Sequence, residues 1–177
     1  MADFLELAGR RQSCRNFASK PVEHDKIVKC VEAARLAPSG CNSQPWSLVV
    51  VENPDKVKEV AESTQLMGLN AHNSKAQAFF VVVEEPAVLM KKIGQLVDSQ
   101  IFAQGDLGGF ALSLCLEAES LGLGTCIIGL YDRPRLRELL GIAEDRKIFI
   151  VISVGYPESD KIREKIRKPA DSFVRYV

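Results

Sequence analysis

The sequence is poor in the residues from which side-chain catalysis and metal sites are usually built. It holds two histidines, His24 and His72, with no recognisable nucleophile and base pair beside them, so a reaction run by side chains alone is poorly supported. Its five cysteines, Cys14, Cys30, Cys41, Cys115 and Cys126, are odd in number and none are spaced Cys-x-x-Cys. A zinc centre would have to be gathered from scattered positions. We therefore expect no metal and reduced, mostly buried thiols. A Gly-x-x-x-x-Gly-Lys-Ser/Thr loop, a Gly-x-Gly-x-x-Gly fingerprint after a strand and a Gly-x-Ser-x-Gly elbow are all missing. These gaps favour a bound cofactor that supplies the chemistry while the protein binds, orients and tunes it.

An excess of either charge is missing too. Lys plus Arg and Asp plus Glu each total 23, which removes any global attraction to nucleic acid or to an anionic membrane. An anion site must then be local. The longest apolar runs, such as Phe79–Val83 and Ile148–Val154, are far shorter than the roughly 20 residues that span a bilayer. The opening Met-Ala-Asp-Phe-Leu-Glu lacks a secretion-signal pattern. The expectation is a cytoplasmic protein with no nucleic-acid or membrane partner.

The 177 residues, 46% hydrophobic and 26% charged, suit one globular domain, residues 1–177. Helices are expected over Asp3–Gly9, Glu23–Leu36, Pro54–Ser63, Pro86–Val97, Gln100–Leu121 and Arg133–Leu140. Strands are expected over Trp46–Val51, Ala78–Glu84, Thr125–Leu130 and Ile148–Val154, the first two buried on both faces. In the Gln100–Leu121 helix, Leu107, Phe110, Ala111, Leu114, Cys115 and Ala118 form a wide apolar face, with small Ala103, Gly105, Gly108 and Gly109 elsewhere, so burial on several sides is expected. Strands alternating with helices indicate an α/β or α+β layered domain. The final Ser172–Val177 alternates polar and bulky residues as an edge strand does.

Three segments carry candidate chemistry. Arg11-Gln12-Ser13-Cys14-Arg15, if extended, puts two guanidinium groups and a hydroxyl on one side. That set suits a dianionic phosphate or the carbonyl edge of a heterocycle, although alone it also fits a solvated basic turn. Pro38-Ser39-Gly40-Cys41-Asn42-Ser43-Gln44-Pro45-Trp46 places small and amide-bearing residues before a strand, where ligands bind in layered folds. Lys165-Ile166-Arg167-Lys168-Pro169 is a basic cluster near the C-terminus that alone reads as a solvated tail. Gly122 and Gly124 read as the turn that ends a helix before a strand.

Taken in order, Arg11–Arg15 with Phe17, Ala37-Pro38-Ser39 with Asn42-Ser43-Gln44-Pro45-Trp46, Leu121–Cys126, Gly155-Tyr156-Pro157 and Lys165–Lys168 resemble the FMN-dependent nitroreductase family, from about residue 3 to the end. The resemblance implies an α+β three-layer sandwich: a mixed, mostly antiparallel sheet flanked by helices, with the C-terminal tail exchanged across a homodimer that shares two flavin sites. It implies that Arg11, Ser13, Lys165 and Arg167 hold the ribityl phosphate, that Gln12 is a further cofactor-binding residue and that Arg15 meets the pyrimidine edge. Pro38, Ser39, Gly40 and Asn42 would come from the other subunit. Asn70, with Asn73 as the alternative, would read flavin N3 and O4, and Ile127, Ile128 and Gly129 would present backbone near N5.

The implied activity is transfer of reducing equivalents from NADH or NADPH through FMN to a nitroaromatic, quinone or similar acceptor by a ping-pong route, with no catalytic side chain. Rival implications are reductive dehalogenation, flavin fragmentation or flavin binding without catalysis. Gln12 stands where Arg or His is frequent in the family, Gly129 where some members carry Glu, and Ala76-Gln77 lacks a common Pro. These departures bear on nicotinamide preference and acceptor choice.

Overall fold

The computed structural model describes residues 3–177. Its elements are α1 (Phe4–Arg10), α2 (His24–Arg35), β1 (Trp46–Val51), α3 (Pro54–Ser63), β2 (Ala78–Glu84), α4 (Lys91–Gly94), α5 (Ser99–Ser120), β3 (Gly124–Ile128), α6 (Arg133–Leu140) and β4 (Lys147–Gly155). The strands form one sheet in the order β1-β2-β4-β3, with every pairing antiparallel. Among the described residues, parallel pairing is confined to an isolated bridge between Ser13 and Thr125.

Alternation along the strands divides the core into two layers. Phe80 and Val82 of β2 with Ile152 and Val154 of β4 pack against Ile27, Cys30 and Ala34 of α2 and Leu107, Phe110 and Leu114 of α5. Phe79, Val81 and Val151 point the other way, against Val57 and Val60 of α3 and Leu136 of α6. The result is helix, sheet, helix: the expected three-layer sandwich. Local signals agree with it. Asn53 Oδ1 accepts from the N–H groups of Asp55 and Lys56 at the start of α3, which has Pro54 in its first turn, as N-terminal capping requires. At the end of α5, Gly122 has φ +77°, the Leu123 N–H donates to the Ala118 carbonyl at 2.8 Å and the Gly122 N–H to Glu119 at 3.0 Å. This is a left-handed glycine cap.

Two expectations need correction. The helix expected over Pro86–Val97 is reduced to α4, a single turn. Its first N–H groups are drawn elsewhere, Ala87 donating to Gln100 Oε1 and Val88 to Ser43 Oγ, each at 2.6 Å. Val88, Met90 and Leu96 stay exposed, and a short helix with no apolar surface to cover is marginal. β1 was expected to be buried on both faces, but it is an edge strand with β2 as its neighbour, and only Val51 is fully buried. Ser172–Val177 forms no strand within its own chain.

Candidate active site

The site begins with the strap, residues 11–17, which leaves α1 and crosses the β3 and β4 ends. The Cys14 N–H donates to the Thr125 carbonyl at 2.8 Å and the Ala18 N–H to Tyr156 at 2.9 Å. What lets the strap lie flat is a cross-strand glycine pair, Gly124 opposite Gly155. A Cβ on Gly124 would lie 2.7 Å from Cys14 Cβ, and one on Gly155 would lie 2.9 Å from the Phe17 ring, closer than side chains can pack. Both glycines were visible in sequence, but only the fold shows that they seat the strap. Tyr156 secures its far end: the hydroxyl donates to Glu23 Oε2 at 2.6 Å and accepts from Lys26 Nζ at 2.8 Å, while Lys20 Nζ stands 3.8 Å from the ring centre.

Seated in this way, the strap turns Arg11, Ser13 and Arg15 into one cavity of about 260 Å³, where Lys165 and Arg167 of the tail meet them across more than 150 positions of sequence. Arg163 and Glu164 complete the lining. The Lys165 ammonium donates to the Arg11 carbonyl. Burial holds Lys165 below the usual lysine range, and the charges of Arg11 and Arg167 push it further down. Five cations against one carboxylate, in a chain of zero net charge, make this cavity a local concentration of positive charge. Gln12 lines the cavity wall, but both ends of its amide are used: Nε2 donates to the Lys161 carbonyl at 2.9 Å and Oε1 accepts from Arg163 Nε at 3.1 Å.

Arg15 extends the site towards the end of β3. Cys126 lies beneath it, its thiol raised by burial and pulled back by the Arg15 charge and by Ser13. His72 is close enough that its pKa, lowered first by burial, is lowered further by Arg15. Its Nε2 is shielded from solvent with no partner. Asn70, left-handed at φ +58°, donates from Nδ2 to the carbonyls of Thr64 at 3.1 Å and Leu130 at 3.4 Å. Asn73 is fully buried and donates to Thr64 Oγ1 at 2.8 Å, which makes it a core residue. Ile128 sends its side chain into the α3/α6 core, whereas Ile127 and Gly129 are exposed; backbone is what this stretch offers a ligand.

Pro38, Ser39, Gly40 and Asn42 do not join this cavity within the chain. Their loop sits at the opposite end of α5, where the Gly40 N–H donates to Asp106 Oδ2 at 3.0 Å. The strap is tied to the other end through Arg10 and Glu119 at 3.4 Å. The thirteen helical steps from Asp106 to Glu119 separate those anchors by about 20 Å. Cys41, Asn42 and Gln44 all have positive φ, between 48° and 53°. Left-handed backbone in non-glycine residues carries strain that persists mainly at functional sites.

Sequence reasoning missed Arg163 and His72. Arg163 had a signal, because Lys161, Arg163, Lys165 and Arg167 occupy alternate positions. His72 had none, since its isolation appears only in three dimensions. Among the described residues no group of three His, Cys, Asp or Glu side chains could hold a metal, and no helix is long and apolar enough to cross a membrane.

The profile of the nitroreductase family matches residues 8–156, from just before the strap to the tyrosine that secures it. The chain belongs to the nitroreductase family. These are oxidoreductases. A protein of Archaeoglobus fulgidus with the provisional name NADH dehydrogenase/NAD(P)H nitroreductase is 32% identical over 165 residues, covering 91% of this chain and 89% of that protein. Iodotyrosine deiodinase 1 of Rattus norvegicus is 29% identical over 183 residues, covering 88% of this chain and 62% of the deiodinase. A solved structure, a provisionally named nitroreductase in complex with FMN from Exiguobacterium sibiricum, matches with a TM-score of 0.86 at 21% identity, covering 100% of this chain and 98% of that one. At that identity the likeness is one of fold.

Proposed function

We propose that this nitroreductase-family chain is an FMN-dependent NAD(P)H oxidoreductase that works as a homodimer and reduces nitroaromatic, quinone or similar flat acceptors. The observation that carries the reading is the cavity in which Arg11, Ser13 and Arg15 of the strap meet Lys165 and Arg167 of the tail. Its donors suit a phosphate monoester, and a dianion there relieves the crowding of like charge around Lys165. FMN, when bound, supplies two-electron chemistry between the nicotinamide and the acceptor.

Each side chain then has a binding or electrostatic task. Arg11, Ser13, Lys165 and Arg167 hold the phosphate, and Arg15 keeps a positive charge at the pyrimidine edge, where negative charge grows on reduction. Asn70 reads the far edge of the ring. The cavity is open, so protons come from water. Donor and acceptor use the same face in turn, which gives ping-pong kinetics.

The surface of α5 supports the homodimer reading. Ile101, Phe102 and Leu112 are exposed on it, with Gly105 and Gly108 between them, and neither glycine has a neighbour within 4 Å of an added Cβ. A second copy packed there by two-fold symmetry places the 38–42 loop of each chain beside the strap of the other. In the same arrangement the tail tip, whose Phe173 and Tyr176 are exposed, adds to the partner's sheet.

The named deiodinase relatives favour a second reading, reductive dehalogenation. Their alignments outrun the part of this chain that they cover, so they carry insertions that this chain lacks. Both readings meet one assay. The purified protein should be yellow and release FMN on denaturation, and it should oxidise NADH or NADPH with nitroaromatic or quinone acceptors faster than it releases iodide from a halogenated tyrosine. A colourless protein that cannot be reconstituted defeats both, and faster iodide release selects the second.

A further inference from the structure

From Glu158 to Pro169 the tail has neither helix nor strand, and its basic residues recur at every second position. Extended chain turns alternate side chains the same way. Arg163 and Lys165 accordingly both reach the strap: Lys165 bonds to the Arg11 carbonyl, and Arg163 makes the fuller set of contacts. Its Nε donates to Gln12 Oε1 at 3.1 Å, its main-chain N–H donates to the same oxygen at 3.2 Å, and its Nη2 donates to the Ser13 carbonyl at 2.5 Å. Residue 11 thus stands opposite 165 and residue 13 opposite 163, so strap and tail run antiparallel. Ser13 is held from both sides, by Arg163 of the tail and, through the bridge to Thr125, by β3.

We propose that Arg163 is a positioning residue for the flavin phosphate: by clamping Gln12 and the Ser13 carbonyl it fixes the direction in which Arg11 and Ser13 present their side chains, an inference that rests on the FMN reading above. Two points separate this from simple tail anchoring. The two acceptors, an amide oxygen and a main-chain carbonyl, are neutral, so a neutral donor could hold them without cost. A cation placed beside Arg11, Lys165 and Arg167 is repelled unless an anion shares the cavity. The planar guanidinium also spans both acceptors at once, which a lysine ammonium cannot do with the same geometry.

Riboflavin has the same ring as FMN and no phosphate, so the pair isolates the effect. FMN and riboflavin affinities of the full chain are measured by fluorescence titration for the unchanged protein, Arg163→Met and the milder Arg163→Lys. Both variants should bind FMN about tenfold more weakly while riboflavin affinity stays within about twofold. Flavin affinities that fall in step, or FMN affinity that is unchanged in either variant, overturn the proposal. An unchanged protein that binds neither flavin overturns the FMN reading itself, and the inference falls with it.

Discussion

At the Glu119 end of α5, strap and tail are locked to each other and to β3 by main-chain and side-chain bonds from three distant parts of the sequence. At the Asp106 end, the 38–44 loop hangs on Gly40 bonded to Asp106 and Ser43 bonded to Val88, with three left-handed non-glycine residues between and beside them. The first region gathers five cationic side chains around one cavity within one chain. The second holds a strained, shaped loop that packs on α5 but stands apart from the cavity of its own chain. We read the difference as a site divided between subunits, one half preorganised and the other waiting for a partner.

The most disruptive way to break that comparison acts on the α5 surface. Gly108→Arg introduces a charged side chain where the single chain leaves open space, so a free monomer tolerates it and gains the better helix propensity of a non-glycine residue. If a second copy packs there, the same change should raise the dimer dissociation constant by at least about a hundredfold, roughly 3 kcal/mol, and empty the flavin sites. Sedimentation equilibrium with flavin absorbance reads both. A dimeric, yellow Gly108→Arg protein would sink the shared-site reading while leaving the cavity at the strap intact.

Arg11→Ala tests the preorganised half. It should weaken FMN binding by about 1.5–3 kcal/mol, the range for hydrogen bonds to a charged group, and leave the dimer intact. Isothermal titration of FMN checks it; unchanged affinity returns Arg11 to the solvated basic turn that its sequence also allowed.

The two regions also differ in how far they could be read from sequence. Strand and helix patterns located β1, α3, β2 and α6 because each buries a periodic apolar face and carries local start or stop signals, such as Asn53-Pro54. Pro86–Val97 misled because spacing alone cannot tell whether a face has anything to cover. The strap could be suspected from its alternating Arg, Ser and Arg, but its union with Lys165 and Arg167 came from the family resemblance, since no local signal links residues 154 positions apart. Arg163 and the Gly124 and Gly155 seat became meaningful only in the fold. That Asn73 is a core residue bonded to Thr64 also became visible only in the fold.

Glu84 sharpens the comparison at the Asp106 end. It is nearly buried and accepts from Gln100 Nε2 at 2.7 Å and Gln104 Nε2 at 2.8 Å, with Lys147 Nζ at 3.1 Å, so it ties the end of β2 to the start of α5. Burial alone would raise its pKa, but the bonds from Gln100, Lys147 and Gln104 outweigh this and leave it below the usual glutamate range. Because the folded value is depressed, the stabilisation is complete above the ordinary carboxylate range near about pH 4 and is lost as pH falls through the folded value. Glu84→Gln should cost about 1–2 kcal/mol at neutral pH and flatten the acid limb of the melting-temperature profile. An acid limb identical to that of the unchanged protein would remove Glu84 as its source.

The smallest effect is expected from the cysteines, although three of them sit within or beside the segments assigned to the cofactor. Cys14 and Cys126 are buried, and burial raises both thiols above their ordinary range, in Cys126 against the pull of Arg15. Cys30, in the α2/α5 core, is pushed up to about 12. A buried, protonated thiol is a poor nucleophile and a poor redox partner, so its place near the strap reflects packing. Cys41 is exposed, but it lies on the strained loop, away from the cavity of its own chain. Converting Cys14, Cys41 and Cys126 together to serine should therefore lower thermal stability, through two buried hydroxyls that cost about 1–3 kcal/mol each if unbonded, while turnover per bound FMN stays within about twofold, less than 0.5 kcal/mol in barrier height. Steady-state kinetics normalised to flavin content separate the two effects. Lost turnover with FMN still bound would make the thiols part of the chemistry.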